Sequence, residues 1–271
     1  MKLNLSILVI TASTICSCIQ YENRPLTNPQ PQTAESIHNN ETKHWTYEGE
    51  TGPEYWTAIE KQSDCGGLRQ SPINIIDIDT EIDKTLISLN LYYSNDVKIH
   101  NVNNNGHTIQ YNFEQGDYIL LNDEKYNLKQ IHFHEASEHT INGVRYPLEM
   151  HMVHLSEDSK IAVLGIMAIE GESSEPFTFL EHYLPIYPGE TATINSKFDL
   201  NLNLPKNKDY YTYNGSLTTP PCSETVQWFI FKNPISISLE QVKLLKALMP
   251  LNNYRNEQPL NNRIIKQFKS L

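Results

Sequence analysis

The sequence predicts a single mainly β domain, on three observations. Short runs that alternate or stay continuously apolar recur between turn-forming Asn, Asp and Gly from about residue 70 to 235. One segment alone reads clearly as a helix, and neither a repeat of roughly 20 to 50 residues nor a second composition regime divides the chain beyond its N-terminal stretch. At 271 residues, 39% apolar and 20% charged, the composition is that of an ordinary globular protein with room for one good-sized core.

The chain begins with Lys2 ahead of a short apolar run, too brief to cross a bilayer core of about 30 Å as a helix, so residues 1–17 read as an export signal. Ser17-Cys18 resembles the processing site of bacterial lipoproteins, which would make Cys18 the lipidated first residue of the mature chain. Cleavage by an ordinary signal peptidase near the same point is the alternative. Either route predicts an exported protein, periplasmic or lipid-anchored to a bacterial cell envelope, with that anchor as its sole membrane contact. Residues 18–42, rich in Asn, Gln, Pro, Thr and Glu and without apolar periodicity, read as a flexible tether, which leaves 43–271 as the domain. A net charge of −11 offers no electrostatic footprint for nucleic acid. Within the domain the cysteines are Cys65 and Cys222, and an exported pair in an oxidising compartment predicts a disulfide.

Strand-like runs include Ile87-Ser88-Leu89-Asn90-Leu91-Tyr92, which alternates, and Tyr118-Ile119-Leu120-Leu121 and the run 161–166, which are continuously apolar. The helix is signalled by Ser238 three residues before Gln241, a capping box, with Val242, Leu245 and Leu248 on one face and Pro250 beyond the end.

The chemistry-bearing pattern is histidine on strands. In Gln130-Ile131-His132-Phe133-His134, side-chain alternation puts Gln130, His132 and His134 on one face. In the run 149–155, Glu149, His151 and Val153 share a face while Met150, Met152 and His154 take the other, so His151 is the more natural third ligand. Three neutral imidazoles leave a fourth position of tetrahedral zinc open, the arrangement of a catalytic rather than a structural site. Gln130 and Glu149, each two residues from a ligand on its own face, are the candidates to fix the ligands' outer ring nitrogens. Paired histidines on a strand are nevertheless more often solvent-facing or hydrogen-bonded than metal-bound, so the pattern alone leaves both readings open.

Several segments in order settle the choice. They run from His44-Trp45-Thr46-Tyr47 and Gly52-Pro53-Glu54-Tyr55-Trp56 through Gln70-Ser71-Pro72-Ile73-Asn74-Ile75, Asn105-Gly106-His107, 130–139 and 149–154. They continue to 213–222, with its Thr218-Thr219-Pro220-Pro221-Cys222, then Val226-Gln227-Trp228 and Gln258-Pro259-Leu260-Asn261-Asn262-Arg263. This ordered set, from about residue 44 to 263, resembles the alpha carbonic anhydrases. The resemblance implies a large, twisted, mostly antiparallel central sheet of about ten strands with short peripheral helices, and supports the Cys65–Cys222 bridge.

For function, the resemblance implies reversible hydration of carbon dioxide to bicarbonate by attack of a zinc-bound hydroxide, with Zn2+ on His132, His134 and His151. Thr218 would orient the nucleophile and give its own proton to Glu138; His107 would carry protons out of the cleft. Val153, Val163, Leu217 and Trp228, with Ile161 nearby, would form the apolar wall for the substrate, and Tyr47, Asn105, Gln110 and Thr219 the polar side. Departures from the commonest pattern are Glu135 and Tyr211 at positions often held by tryptophan and Gln110 in place of an asparagine. Exported relatives are often dimers, and a homodimer is the expectation here. The competing reading is a catalytically silent binding module of the same fold, disfavoured because every catalytic residue named above is present; no G-x-S-x-G motif points to a serine esterase.

Overall fold

In the computed structural model, which describes residues 44–194 and 196–270, alternation along the strands decides the architecture; the export signal, Cys18 and the tether lie outside the described residues. Strand Ile109–Phe113 buries Ile109, Tyr111 and Phe113 and leaves Gln110 and Asn112 half-buried on the opposite face. The same two-faced pattern, repeated along neighbouring strands, gives a mainly β protein with the larger apolar core beneath one face of the sheet and the histidines, beside a second apolar cluster, on the other.

The main path of the sheet runs Thr191–Thr193, Val97–Asn104, Ile109–Phe113, Glu124–His134, Leu148–Ser156, Ile161–Glu170, Val226–Phe231, Tyr210–Gly215, Lys266–Phe268 and Glu81–Ile82. These are the ten or so strands expected, and four short side strands bring the sheet to 14 among the described residues. Most pairs are antiparallel. The parallel ones join Ile161–Glu170 to both Val226–Phe231 and Ile235–Ile237, and Lys266–Phe268 to Glu81–Ile82.

Beneath the sheet, Ile131, Phe133, Met150, Met152, Leu164 and Ile166 pack with Val242, Leu245 and Leu248. The last three come from helix Leu239–Leu248, whose N-cap Ser238 and Gln241 make the reciprocal bonds of the predicted capping box. Burying side chains of this size stabilises the fold by about 1.5–3 kcal/mol each. The strand expected from Ile87 begins instead at Asn90. The Ile87 carbonyl accepts a side-chain hydrogen bond from Tyr210 Oη rather than a ladder bond, and the Ile87 side chain is exposed.

Cys65 and Cys222 form a disulfide across a sequence separation of 157 residues. It lies against Trp45, Tyr47 and Trp56 and is buried. Asp64 N–H donates to the Pro221 carbonyl and Gln70 Nε2 to that of Cys222, so the bridge ties the N-terminal aromatic cluster to the loop that follows Thr219. Closing so long a loop restricts the unfolded chain and stabilises the fold by up to about 5 kcal/mol. Reduction, or the Cys65→Ser, Cys222→Ser double substitution, is therefore expected to lower the denaturation midpoint in urea; an unchanged midpoint would show that the bridge contributes nothing.

Candidate metal centre

The two central strands bring the histidines together through register. Along the antiparallel pair Glu124–His134 and Leu148–Ser156, His132 lies opposite His151, His134 opposite Glu149 and Gln130 opposite Val153. Each strand contributes one face, as alternation requires. The ring centroids of His132, His134 and His151 are 4.6 to 5.0 Å apart, and one ligand atom from each falls within 4.8 Å of the others.

Hydrogen bonds to the outer ring nitrogens fix which atoms face inward. His132 Nδ1 donates to Gln130 Oε1 at 2.8 Å, His134 Nδ1 to the Asn253 carbonyl at 2.6 Å, and His151 Nε2 to Glu149 Oε1 at 2.8 Å. A neutral imidazole has one N–H, so once that is committed outward the other nitrogen presents a lone pair. His132 Nε2, His134 Nε2 and His151 Nδ1 are those nitrogens.

They converge on a point suited to a cation. His151 Nδ1 and His132 Nε2 are 3.2 Å apart, close to the roughly 3.3 Å that tetrahedral zinc with bonds of about 2.0–2.1 Å imposes on two nitrogen ligands. His134 Nε2 is buried with no hydrogen-bond partner. Glu138 Oε2, also buried and unpartnered, lies 3.4 Å from His134 Nε2 and 4.0 Å from His151 Nδ1. Acceptors crowded together in this way repel one another unless a positive charge sits among them. Burial, reinforced by the neighbouring imidazoles, holds His132 well below the ordinary imidazole range, and burial likewise lowers His134, so both are neutral as ligands must be. The donor set fits zinc.

Glu149 is the hub behind the ligands. Its Oε1 accepts from His151 Nε2 and His139 Nδ1, and its Oε2 from the backbone N–H groups of Glu138 and His139, all at 2.8 Å. Burial alone would raise this carboxyl, but His139 and His151 hold it well below the usual carboxylate range. The chain continues: His139 Nε2 accepts from Tyr213 Oη at 2.6 Å, and Tyr213 Oη meets Ser71 Oγ at 2.9 Å. Gly165, opposite His151 on the next strand, leaves room for the hub; a Cβ there would lie 3.1 Å from Glu149 Oε1 and 2.5 Å from Ile230 Cδ1.

The remaining sequence-predicted residues fall around this centre. Val163 and Trp228 belong to one buried apolar cluster, with Val153, Ile161 and Leu217 packed against it; Val153 pairs with Val163, which pairs with Trp228, and the Trp228 ring is 4.9 Å from that of His151. Thr218 is buried and Thr219 half-buried on the loop after Gly215; Thr218 makes no hydrogen bond to Glu138, whose Oε1 accepts from Arg255 N–H at 3.0 Å. Gln110 lies opposite His132 and donates to Asn112. Tyr47 is buried, and burial, then Glu138, raises its phenol well above the ordinary value, which keeps it a neutral donor. His107 is half-buried, with its backbone N–H held by Asn105 Oδ1 and its ring stacked on Trp45 at 3.8 Å. Glu135 binds Lys246, and the Tyr211 hydroxyl donates to Asp77.

Sequence reasoning did not single out Asn253, Arg255, His139 or Gly165. Asn253 binds His134 through its carbonyl and, through its side chain, Glu135 N–H and the carbonyls of His107 and Phe133. No local pattern marks an asparagine more than a hundred residues from its partner; for His139, the one available signal was its place beside Glu138 in the matching segment.

The chain as a whole is similar to known proteins. A family model described as eukaryotic-type carbonic anhydrase matches residues 51–269. A carbonic anhydrase of Klebsiella pneumoniae is 39% identical over 226 residues, covering 82% of this chain and 90% of its own. The alpha-carbonic anhydrase of Thermovibrio ammonificans, solved in complex with the inhibitor sulfanilamide, superposes with a TM-score of 0.78 at 40% identity, covering 82% of this chain and 98% of that one. Dioscorin complexed with ascorbate has a TM-score of 0.79 at 32% identity, over 84% of this chain and 99% of that one.

Replacing Glu149 by Gln preserves shape but turns an NH2 group towards N–H donors. Zinc affinity, measured by competition with a chromophoric chelator, is expected to fall about 10- to 100-fold, and an unaltered affinity would remove Glu149 from its role.

Proposed function

Because the chain belongs to the alpha carbonic anhydrase family, we propose that it catalyses the reversible hydration of carbon dioxide to bicarbonate and a proton at a zinc ion held by His132, His134 and His151. The observation that carries this reading is the convergence of three imidazole nitrogens, one each from His132, His134 and His151, whose rings are each held through the other nitrogen by an outward hydrogen bond. Zinc, when bound, supplies a Lewis acid that lowers the pKa of water from about 15.7 towards about 7, a property for which carbonic anhydrase is itself the reference case.

The residues of this chain do the rest. Val153, Val163, Leu217 and Trp228 offer an apolar wall for a small apolar molecule beside the ligands. Glu138, tied at Oε1 by Arg255 N–H, keeps Oε2 available as an acceptor, and Thr218 is the hydroxyl we assign to it. Thr218 then accepts from the attacking oxygen, which fixes that oxygen's orientation. Tyr47, Asn105, Gln110 and Thr219 line the opposite, polar side. His107 takes the proton released there and carries it outward, a task suited to an imidazole. The Cys65–Cys222 disulfide favours an oxidising compartment, in keeping with export.

Stopped-flow carbon dioxide hydration by the zinc-loaded protein is the test, expected to be fast, abolished by zinc removal and inhibited by a sulfonamide. A folded, zinc-bound protein without turnover would point to a silent binding module instead. His107→Ala is expected to slow turnover about tenfold or more in weak buffer, with recovery on adding imidazole; lack of recovery would take the shuttle role from His107.

A further inference from the structure

The two faces of strand Val226–Phe231 lead to different places. Trp228 packs its ring against that of His151, so by alternation Gln227 and Phe229 face away from the metal centre. There they line a cavity of about 330 Å³, within the size range of small-molecule pockets. Its other walls are the segment 85–90, Tyr210 and residues 120–123. Phe229 and Leu89, both buried, supply apolar surface. Asn90, Asn122, Asp123 and Gln227 supply polar groups, and among the described residues no hydrogen bond or ion pair engages these four side chains. Gln227 is half-buried on the face whose next residues, Phe229 and Phe231, belong to the larger apolar core; a carboxamide there costs free energy unless solvent or a ligand meets it. The turn is fixed: Leu121 lies opposite Glu124, and Asn122 and Asp123 have φ of 51° and 64°, a two-residue type I′ hairpin turn of the kind Asn and Asp favour.

An aromatic platform adjoins the cavity. In the antiparallel pair of strands Asn90–Tyr92 and Tyr118–Leu121, Asn90 lies opposite Leu120 and Tyr92 opposite Tyr118. Asn90 and Tyr92 therefore share a face, about 7 Å apart along the strand. Tyr92 stacks on Tyr118 at 4.7 Å and 8°, and Lys125 Nζ lies 4.1 Å from the Tyr118 ring centroid. Tyr92 itself is 48% exposed, and among the described residues no further ring or cation stacks on it.

We propose that this cavity and the Tyr92 ring together form a binding site for a neutral sugar, an oligosaccharide of β-linked glucose, on the side of strand Val226–Phe231 that faces away from His151. A pyranose whose hydroxyls are all equatorial carries C–H groups on both ring faces and a rim of hydroxyls that donate and accept at once. Carboxamides also donate and accept, so Asn90, Asn122 and Gln227 match that rim, with Asp123 as a further acceptor. The C–H faces meet Phe229 in the cavity and Tyr92 beside it. Asp123 is the one charged side chain lining the cavity, and the chain carries a net charge of −11; both disfavour a phosphorylated or sulfated sugar. The site depends neither on zinc nor on the reaction assigned to the histidines.

Cellotriose is the probe, titrated into the full chain, with calorimetry for affinity and saturation-transfer NMR for the contact. Binding is expected, with saturation reaching the ring C–H protons most strongly. Tyr92→Ala, which removes the platform, and Gln227→Leu, which keeps the bulk of the side chain but neither donor nor acceptor, are each expected to weaken it about three- to tenfold. The denaturation midpoint of each variant in urea, recorded alongside, separates loss of the site from loss of the fold, and the exposed Asn90→Ala replaces either variant that does not fold. Absence of both heat and saturation transfer up to the solubility limit of cellotriose overturns the proposal. So does binding that the folded variants retain at wild-type affinity, and so does equal binding of glycerol, which would make the cavity a pocket for polyols at large rather than for a sugar ring.

Discussion

A single buried carboxylate organises this centre. Glu149 is fully buried, and a carboxylate taken out of water without partners costs several kcal/mol. Four donors offset that cost, and each has a structural consequence. The Glu138 and His139 backbone N–H groups fold the segment after His134 back over the sheet, which returns Glu138 to the cleft. His151 Nε2, committed to the carboxylate, leaves Nδ1 as the nitrogen that faces the other ligands. His139 extends the network to Tyr213 and Ser71, where Ser71 and Ser216 exchange backbone-to-hydroxyl bonds just before Leu217 and Thr218. The ligand face, the Glu138 segment and the loop with Thr218 thus share one electrostatic origin.

Strand register turns that network into a rigid frame. Because side chains alternate, a one-residue slip of Glu124–His134 would turn His132 and His134 towards the apolar core and Phe133 away from it, and a slip of Leu148–Ser156 would do the same to His151 on the one hand and to Met150 and Met152 on the other. The hydrophobic pattern of the lower face therefore enforces the ligand geometry of the upper one.

What was legible in the sequence follows from the range of each interaction. Alternation put Gln130, His132 and His134 on one face and Glu149, His151 and Val153 on another, and the capping box marked helix Leu239–Leu248, because those signals span only a few residues. The match to a family by ordered segments supplied what periodicity could not: the size of the sheet, and the roles assigned to Glu138, Thr218 and His107. Asn253 and Arg255 stayed hidden, since their partners His134, Glu138, Gln70 and Cys65 are distant in sequence and a buried arginine looks no different from an exposed one. Gly165 was hidden too, because the need for a missing Cβ exists only once Glu149 and Ile230 are in place. Local signals also misplaced the start of the strand at Ile87, where a distant tyrosine hydroxyl takes the carbonyl.

Asn253 shows how the two halves of the proposed chemistry are held to one frame. Its carbonyl accepts from His134, while its amide nitrogen donates to the carbonyls of His107 and Phe133. The proposed ligand His134, the strand residue Phe133 beside it and the backbone of the proposed shuttle His107 are thus referenced to one side chain and its own backbone. The apolar wall lies on the other side, on strands Leu148–Ser156, Ile161–Glu170 and Val226–Phe231, where Val153, Val163 and Trp228 pair across the ladder. Substrate and proton need opposite surroundings, the first an apolar surface and the second a chain of hydrogen-bonding groups. In the proposed chemistry the two are divided laterally along one face of the sheet, with Gln110 on a strand to one side of the histidines and Val163 and Trp228 on strands to the other, and Asn253 ties His134 and His107 to a single residue.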